Sequence, residues 1–220
     1  MQFVTNIPWI ETYGINYYIG LDGFSLTILM MIAILIPTAY LLLWEGKTKG
    51  YWINMLLVQS GVTGTLFSLD IVLFYFFWEV MLLPVFLMIG SYGFGDKVFT
   101  TIKVTVYTMA GSLLMFVAIL YLGVAHFNQF GEWSFAYDSL MQISTIPYDT
   151  KVWLFLAFLA AFAIKIPIFP LHTWIMETYK NAPTGAVFLL SSIMAKLGVY
   201  AIVRFMIPIF PDIYVEFSTW

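Results

Sequence analysis

Long runs of apolar residues occupy most of the chain, and polar residues gather in short stretches between them. A helix needs about 20 mostly apolar residues to cross the hydrocarbon core of a bilayer. Six segments meet this requirement, which predicts transmembrane helices at about residues 21–44, 52–69, 71–92, 100–127, 152–174 and 183–208. Strands of a membrane barrel would alternate over about ten residues, and the sequence has no such pattern. The predicted fold class is an all-α polytopic membrane protein, with one six-helix domain over residues 21–210.

Composition supports a membrane protein and excludes several other classes. Hydrophobic residues make up 62% of the 220 residues and charged residues 10%, and the mean hydropathy is +0.92. A soluble domain carries about 25% charged residues. The chain has no cysteine, which excludes a disulfide framework and a thiolate metal site. A net charge of −3 without a basic patch excludes nucleic acid as a partner.

The segments outside the predicted helices are expected at the membrane surface. Residues 1–20 contain no Lys or Arg and are rich in aromatic side chains, which favours an interfacial segment over a signal peptide. Basic residues mark cytoplasmic loops; one side of the predicted helices has Lys47, Lys49, Lys97, Lys103 and Lys180, and the other has Lys151. The N-terminus is therefore expected outside the cytoplasm. The longest loop, residues 128–151, and the C-terminal tail, residues 211–220, are expected on the same side.

Three charged side chains lie inside separate predicted helices: Glu79 in the third, Lys165 in the fifth and Lys196 in the sixth. A charge at the bilayer centre costs about 2.5–3.5 kcal/mol on insertion scales, and such groups are usually functional. A Glu–Lys contact that forms and breaks would change the proton affinity of the lysine. A static structural pair is the alternative. Arg204 lies four residues before Pro208, near a helix end, and is expected to reach the interface by snorkelling.

The fifth helix is predicted to break at Pro167 and Pro170. Proline has no amide hydrogen, so the carbonyls of Ala163 and Ile166 lose their usual partners. Broken helices near the midplane are a recurrent feature of ion sites in transporters. His172, two residues after the second proline, has two open interpretations: a proton relay, or a structural histidine bonded to a freed carbonyl.

The sequence contains no motif for a nucleotide, metal or redox cofactor. It has no glycine-rich phosphate loop and no HExxH zinc motif. Its two histidines, His126 and His172, are too few to hold two haems with a histidine pair each. We therefore expect no cofactor and no redox active site in this chain.

Several stretches resemble the antiporter-like membrane subunits of respiratory complex I, and together they cover nearly the whole chain. FYFFWEVMLLPVFLMIG resembles the glutamate-bearing helix of that family, and AFAIKIPIFPLHTW resembles its broken lysine helix. APTGAVFLLSSIMAKLGVYAIVRF resembles the next helix with its central lysine. IGLDGFSL, KVTVYTMAGSLLM and GEWSFAYDSL resemble intervening parts in the family's order. The FFWE and LLP elements favour the M type, called chain 4 in organelles.

The resemblance implies a fold of two inverted five-helix repeats, each with half a proton channel. It implies that Glu79 modulates the pKa of Lys165, that Lys165 holds the transferred proton, and that Lys196 passes it on; His172 also matches a family position. The implied function is proton translocation in a redox-driven NADH:quinone oxidoreductase. The implied partners are protons, the lipid bilayer and other membrane subunits of complex I, in a bacterial inner membrane.

The sequence departs from the family pattern in two respects. The usual LPDAH is IMETY here, so Glu177 stands in for the aspartate and Tyr179 replaces the histidine. The length fits one earlier helix and the first repeat, so this chain alone is expected not to carry a proton across a membrane. Two alternatives stay open: a subunit of a multi-subunit cation/proton antiporter or membrane-bound hydrogenase, and a non-conducting structural subunit.

Overall fold

A computed structural model describes residues 1–218 and shows a helical protein with an N-terminal two-stranded hairpin. The strands are β1 (Gln2–Ile10) and β2 (Ile15–Leu21). The helices, in chain order, are α1 (Gly23–Leu42), α2 (Lys49–Phe67), α3 (Ile71–Val80), α4 (Leu82–Tyr92), α5 (Lys97–Phe130), α6 (Tyr137–Leu140), α7 (Tyr148–Lys165), α8 (Thr173–Asn181), α9 (Thr184–Leu189), α10 (Ala195–Ala201), α11 (Ile207–Ile209) and α12 (Pro211–Ser218). Most of the predicted tail is thus helical, and its residues 219–220 lie outside the described part.

Within the described residues, four helical stretches are long and apolar enough to cross a membrane: Gly23–Leu42, Ile71–Tyr92, Lys97–Phe130 and Thr184–Ile209. They correspond to the first, third, fourth and sixth predicted spans. The other two predicted spans are also helical, as α2 and α7, but are more polar. Helix α2 carries several hydroxyl and amide side chains, and α7 contains charged residues near both of its ends. The count of six membrane spans therefore stays a prediction.

The N-terminal segment differs from the all-helical prediction. Residues 1–20, expected to be interfacial and without strands, form most of an antiparallel hairpin in which Ile7 lies opposite Tyr17. β-Branched and aromatic residues, which are frequent here, favour strands. The connection ends at Gly14, whose positive φ of 61° suits glycine. The all-α prediction is therefore wrong for this segment.

The hairpin is attached to the helices through the residues just before α3. A two-stranded hairpin is marginally stable on its own. The amide of Leu69 donates to the Tyr18 carbonyl at 2.8 Å, and the amide of Asn16 donates to the Asp70 carboxylate at 3.1 Å. Asp70 also accepts from two amides in the first turn of α3, at 2.9 and 3.2 Å. Burial raises the pKa of the Asp70 carboxyl to about 6.

Other predicted boundaries also change. The third predicted span is interrupted at Met81, between α3 and α4. Pro84 has no amide hydrogen to donate to the Val80 carbonyl, which weakens the helix there. The sixth span contains two π-helical segments, Leu190–Met194 and Ile202–Met206, on either side of α10. The predicted loop 128–151 contains the short helix α6 and the ends of its neighbouring helices.

Two glycines mark close helix contacts next to the candidate site. A Cβ on Gly111 of α5 would lie 2.7 Å from the side chain of Ile164 and 3.2 Å from the Cα of Ala161, both on α7. A Cβ on Gly61 of α2 would lie 2.8 Å from the amide nitrogen of Met81. Backbones in contact at small residues are typical of helix packing in membranes. Helix α5 is therefore held close to α7, and α2 is held close to the junction of α3 and α4.

Candidate functional site

Glu79 lies where α3 gives way to α4, one residue before the end of α3. Its Oε1 is buried and has no hydrogen-bond partner among the described residues. The carboxyl group interacts with Ser112 of α5 and, through charge, with Lys165 of α7. Glu79 also lines a cleft of about 500 Å³ whose walls include residues of α3, α4 and α5 together with Trp9 of the hairpin. Glu79 thus has a buried carboxylate oxygen and also forms part of the wall of a cleft.

Lys165 is the last residue of α7 and is 4% exposed. Within the described part of the chain, its buried Nζ has no hydrogen-bond partner. The Nζ lies 4.9 Å from the centroid of the Trp78 ring. A desolvated cation–π contact of this kind stabilises an ammonium by about 2 kcal/mol. Since Trp78 immediately precedes Glu79, one short piece of α3 supplies both groups that face the lysine.

Glu79 and Lys165 are neighbours without being a tight ion pair. The ion pairs within 4.0 Å in residues 1–218 are Lys151–Asp212 and Arg204–Asp22. Glu79 and Lys165 therefore influence each other through charge while each keeps an unpaired buried atom.

After Lys165 the chain leaves the helix, and α8 begins at Thr173. Pro167 cannot donate to the Ala163 carbonyl, which accepts instead from the amide of Ile168 at 2.9 Å. The Ile164 carbonyl accepts the indole N–H of Trp174 at 3.1 Å. Replacement donors therefore serve the end of α7, as a non-helical stretch away from water requires. The location of this stretch at the middle of a membrane stays a prediction.

His172 lies just before α8, at its N-cap position. Its Nδ1 is buried and, within residues 1–218, has no hydrogen-bond partner. Its ring is tilted against Phe169, with 5.7 Å between the ring centroids. Nδ1 therefore does not make the carbonyl bond of the structural interpretation, and the relay role stays a prediction.

Lys196 lies at the start of α10 and is exposed on the surface of this chain. Its Nζ donates to the Ser191 carbonyl at 2.5 Å. Helix α10 packs against the end of α7 at Gly198, where a Cβ would lie 2.5 Å from the side chain of Ile166. In the described part of the chain, no hydrogen bond or ion pair joins Lys196 to Lys165 or Glu79. The structure thus brings two of the three predicted charges together and leaves Lys196 apart.

Arg204 contradicts its sequence-based interpretation. It was expected to snorkel to the interface, but it is 7% exposed and pairs with Asp22 at 2.6 Å. Its guanidinium carbon lies 4.6 Å from the centroid of the Tyr137 ring. The prediction is wrong because it considered position along one helix, whereas the partner lies 182 residues away. In the sequence, the acidic residue Asp22 at the start of the first predicted helix could have indicated a partner for Arg204.

Sequence reasoning also missed Trp78 and Ser112 as neighbours of the buried charges. An aromatic residue beside an intramembrane glutamate was a usable signal for Trp78, since tryptophan is the best cation–π partner. Ser112 follows Gly111, so the tight contact between α5 and α7 also fixes the serine. Among the described residues, no cluster of three or more His, Asp or Glu side chains could hold a metal ion.

The sequence matches a known family over most of its length. Residues 68–220 match the family model described as NADH:quinone oxidoreductase/Mrp antiporter, transmembrane. The chain belongs to this family. It is 34% identical to NADH-quinone oxidoreductase subunit M of Escherichia coli (strain K12), over 97% of this chain and 43% of that protein. It is 33% identical to F(420)H(2) dehydrogenase subunit M of Methanosarcina mazei, over 96% of this chain and 43% of that protein.

A solved structure of the same family shares the fold. A chain in the structure of respiratory complex I from Thermus thermophilus with bound NADH matches with a TM-score of 0.86 and 28% identity, over 97% of this chain and 44% of that chain. The present chain spans less than half of the length of these relatives, 43% in the case of the E. coli protein. The resemblance to the antiporter-like, M-type subunits of complex I is confirmed.

Proposed function

We propose that this chain is a proton-translocating membrane subunit of a redox-driven NADH:quinone oxidoreductase, in which Lys165 holds the transferred proton. The observation that carries the proposal is the Lys165 ammonium, which is buried beside Trp78 without a hydrogen-bond partner among the described residues. A buried group that is unpaired can gain and lose a proton without first breaking a strong contact. Electron transfer takes place elsewhere in the assembly, and this chain supplies no redox cofactor.

Glu79 is proposed to control the proton on Lys165. A carboxylate that approaches a buried amine favours its charged form, and a carboxylate that withdraws favours release of the proton. The two groups interact through charge without being within 4.0 Å, which supports a contact that can tighten and loosen. A static structural pair would instead be expected to be closely bonded, because an unsatisfied buried charge is costly.

Lys196 is proposed as the next proton carrier, and His172 as a relay beside the end of α7. Since Lys196 is exposed on this chain, the proposal requires that a further segment or another membrane subunit covers it. The E. coli and M. mazei relatives are both named as subunits of larger enzymes, which supports other membrane subunits as partners. A bacterial inner membrane, with the N-terminus outside the cytoplasm, is the proposed location.

The deciding experiment replaces Lys165 with Met and Glu79 with Gln in the assembled complex, reconstituted in liposomes. We expect Lys165→Met to abolish proton pumping and Glu79→Gln to reduce it strongly. Lys180→Met, at an exposed lysine near the end of α8, is the control and should pump normally. Unchanged pumping in both test variants of an assembled complex would refute the proposal and favour the structural subunit.

A cation/proton antiporter subunit is the second candidate, because the description of the matching family includes Mrp antiporters. The same two residues would act in it, and the partner proteins would differ. Purification of the intact assembly with identification of its other chains distinguishes the candidates. Redox subunits support the oxidoreductase, and further antiporter subunits without redox partners support the antiporter.

A further inference from the structure

Three distant parts of the chain meet around Arg204, which lies in the π-helical segment Ile202–Met206. Asp22 lies just before α1, and its Oδ2 accepts a hydrogen bond from Nη1 of Arg204 at 2.6 Å. The guanidinium also lies over the ring of Tyr137 at the start of α6, at 4.6 Å. π-Helical segments of this kind are often found at functional sites.

One helical stretch, α10 followed by the π-helical segment, connects this ion pair with Lys196. Lys196, Tyr200 and Arg204 follow each other along it at intervals of four residues, and Lys196 is exposed on this chain whereas Tyr200 and Arg204 are buried. Tyr200 is fully buried, and its hydroxyl donates to the Leu66 carbonyl at 3.0 Å and lies 3.2 Å from Oγ of Ser25. The eight residues from Lys196 to Arg204 correspond to about 12 Å of α-helix. Along this helical stretch, Tyr200 and Arg204 therefore come between Lys196 and Asp22, which follows directly after the hairpin. We call this end of the stretch the hairpin end.

A surface crevice reaches Asp22, the acidic member of the ion pair. It has a volume of about 250 Å³ and is lined by Asp22, Leu21, Leu26 and the first residues of the chain. The side chain of Asp22 is 28% exposed, whereas that of Arg204 is 7% exposed. Asp22 thus lines the crevice, and its partner Arg204 is the more deeply buried member of the ion pair.

Stability alone is a poor explanation for this arrangement. Burying an ion pair is often no better for stability than apolar packing, and an arginine near a helix end could snorkel at lower cost. Arginine stays protonated in proteins, so it cannot accept a proton and pass it on. A fixed arginine in a narrow path is a known electrostatic barrier to protons and cations.

We propose that Arg204, held by Asp22 and backed by Tyr200, is a seal that closes the hairpin end of the proton path at Lys196. This inference rests on the proposed function, because a seal is needed only where a proton carrier is present. The Nζ of Lys196 donates towards the Ser191 carbonyl, on the side of Lys196 away from the seal. A proton on Lys196 is then separated from the crevice and leaves by another route.

The test measures passive proton leak in liposomes that contain the whole complex, without substrate. Arg204→Gln and Asp22→Asn should each raise the rate at which an imposed pH difference decays, by about tenfold for the arginine variant. Electron transfer should be unchanged. Adding Lys196→Met to Arg204→Gln should return the leak to the level of the unmodified complex, because the leak is expected to run through that lysine.

Matched variants separate a seal from a general structural defect. Lys151→Gln breaks the exposed ion pair Lys151–Asp212, 3.5 Å long, and should not leak. If Arg204→Gln does not assemble, Arg204→Lys keeps the charge without the planar fork and should leak less than Asp22→Asn. The seal is refuted if assembled variants of both Arg204 and Asp22 stay tight, or if Lys196→Met leaves the leak unchanged. Because leak is measured without turnover, its result is independent of the effect of Lys165→Met on pumping.

Discussion

The two buried charge pairs of this chain are built in opposite ways. Glu79 and Lys165 each leave an atom unpaired among the described residues, and they act on each other at a distance. Arg204 and Asp22 are in direct contact at 2.6 Å, and the arginine is also covered by the Tyr137 ring. The buried Nε of Arg204 has no hydrogen-bond partner among the described residues, so the two pairs differ in the direct contact between their charges and not in full hydrogen bonding. The first pair lies at the ends of α3 and α7, whereas the second joins the residue before α1 to a π-helical segment.

The difference indicates a division of tasks. A lysine can release its proton, and a loosely held lysine can do so repeatedly as its surroundings move. An arginine keeps its proton, so a tightly paired arginine can only hold a position or form a barrier. This contrast gives two predictions. Replacing Lys165 with an arginine should affect proton transport, and removing Arg204 should affect stability more than removing Lys165.

The largest effect is expected from Lys165→Arg. This change keeps the charge and the cation–π contact with Trp78 but replaces a group that can release a proton with one that cannot. We expect the number of protons pumped per electron to fall to background in reconstituted complex, while the complex still assembles. Pumping that persists with arginine would show that Lys165 contributes only charge, and the distinction between the two pairs would be lost.

Removal of the cations should have unequal effects on stability. Arg204→Met leaves Asp22 without its partner, and breaking a buried pair costs about 3–5 kcal/mol, less here because Asp22 is partly exposed. Lys165→Met removes an unpaired buried charge and should cost little or be stabilising. Thermal unfolding of the purified complex in detergent compares the two. Equal destabilisation would contradict the view that only one pair is a structural contact.

The sequence alone is sufficient for much of this comparison. Long apolar runs locate the helices, and the cost of charges within them identifies Glu79 and Lys165 without the structure. The two prolines after Lys165 predict a helix end, because their effect on the backbone is local. Features that depend on residues nearby in the chain are therefore predictable.

Features that depend on distant contacts are not predictable in this way. The hairpin is held by hydrogen bonds from Asn16 to Asp70 and from Leu69 to Tyr18. In each of these bonds the partners are about 50 residues apart in the chain. The burial of Arg204 depends on Asp22, 182 residues earlier. A hydrophobicity pattern reports the surroundings of a residue along one helix, and it does not report which other helix end lies beside it.

Asp70 is an intermediate case, a buried carboxylate held by three amides instead of a cation. Burial raises the pKa of its carboxyl to about 6, above its ordinary value of 3.8. The folded chain therefore binds this proton up to a higher pH than the unfolded chain, so stability should fall as pH rises from about 4 to 6, by at most about 3 kcal/mol. Asp70→Asn should remove this part of the pH dependence.

Thermal unfolding at several pH values between about 4 and 7 measures the slope. Thr48→Ala, at the exposed N-cap of α2, removes a capping side chain that does not titrate; it is the control and should leave the slope as it is. An Asp70→Asn variant with the same slope as the unmodified complex would show that the amides, which favour the carboxylate, cancel the effect of burial.

The smallest effect is expected from Gly111→Ala, which tests whether close packing of α5 and α7 sets the geometry of the loosely held pair. The new methyl group would lie 2.7 Å from the Ile164 side chain and 3.2 Å from the Ala161 Cα, so the helices must separate slightly. Overpacking of this kind costs about 1–3 kcal/mol. Ser112 would move with α5, so pumping should fall along with the melting temperature. Gly23→Ala, where a Cβ meets nothing within 4 Å, should change neither, and full pumping in Gly111→Ala would show that Glu79 does not depend on this contact.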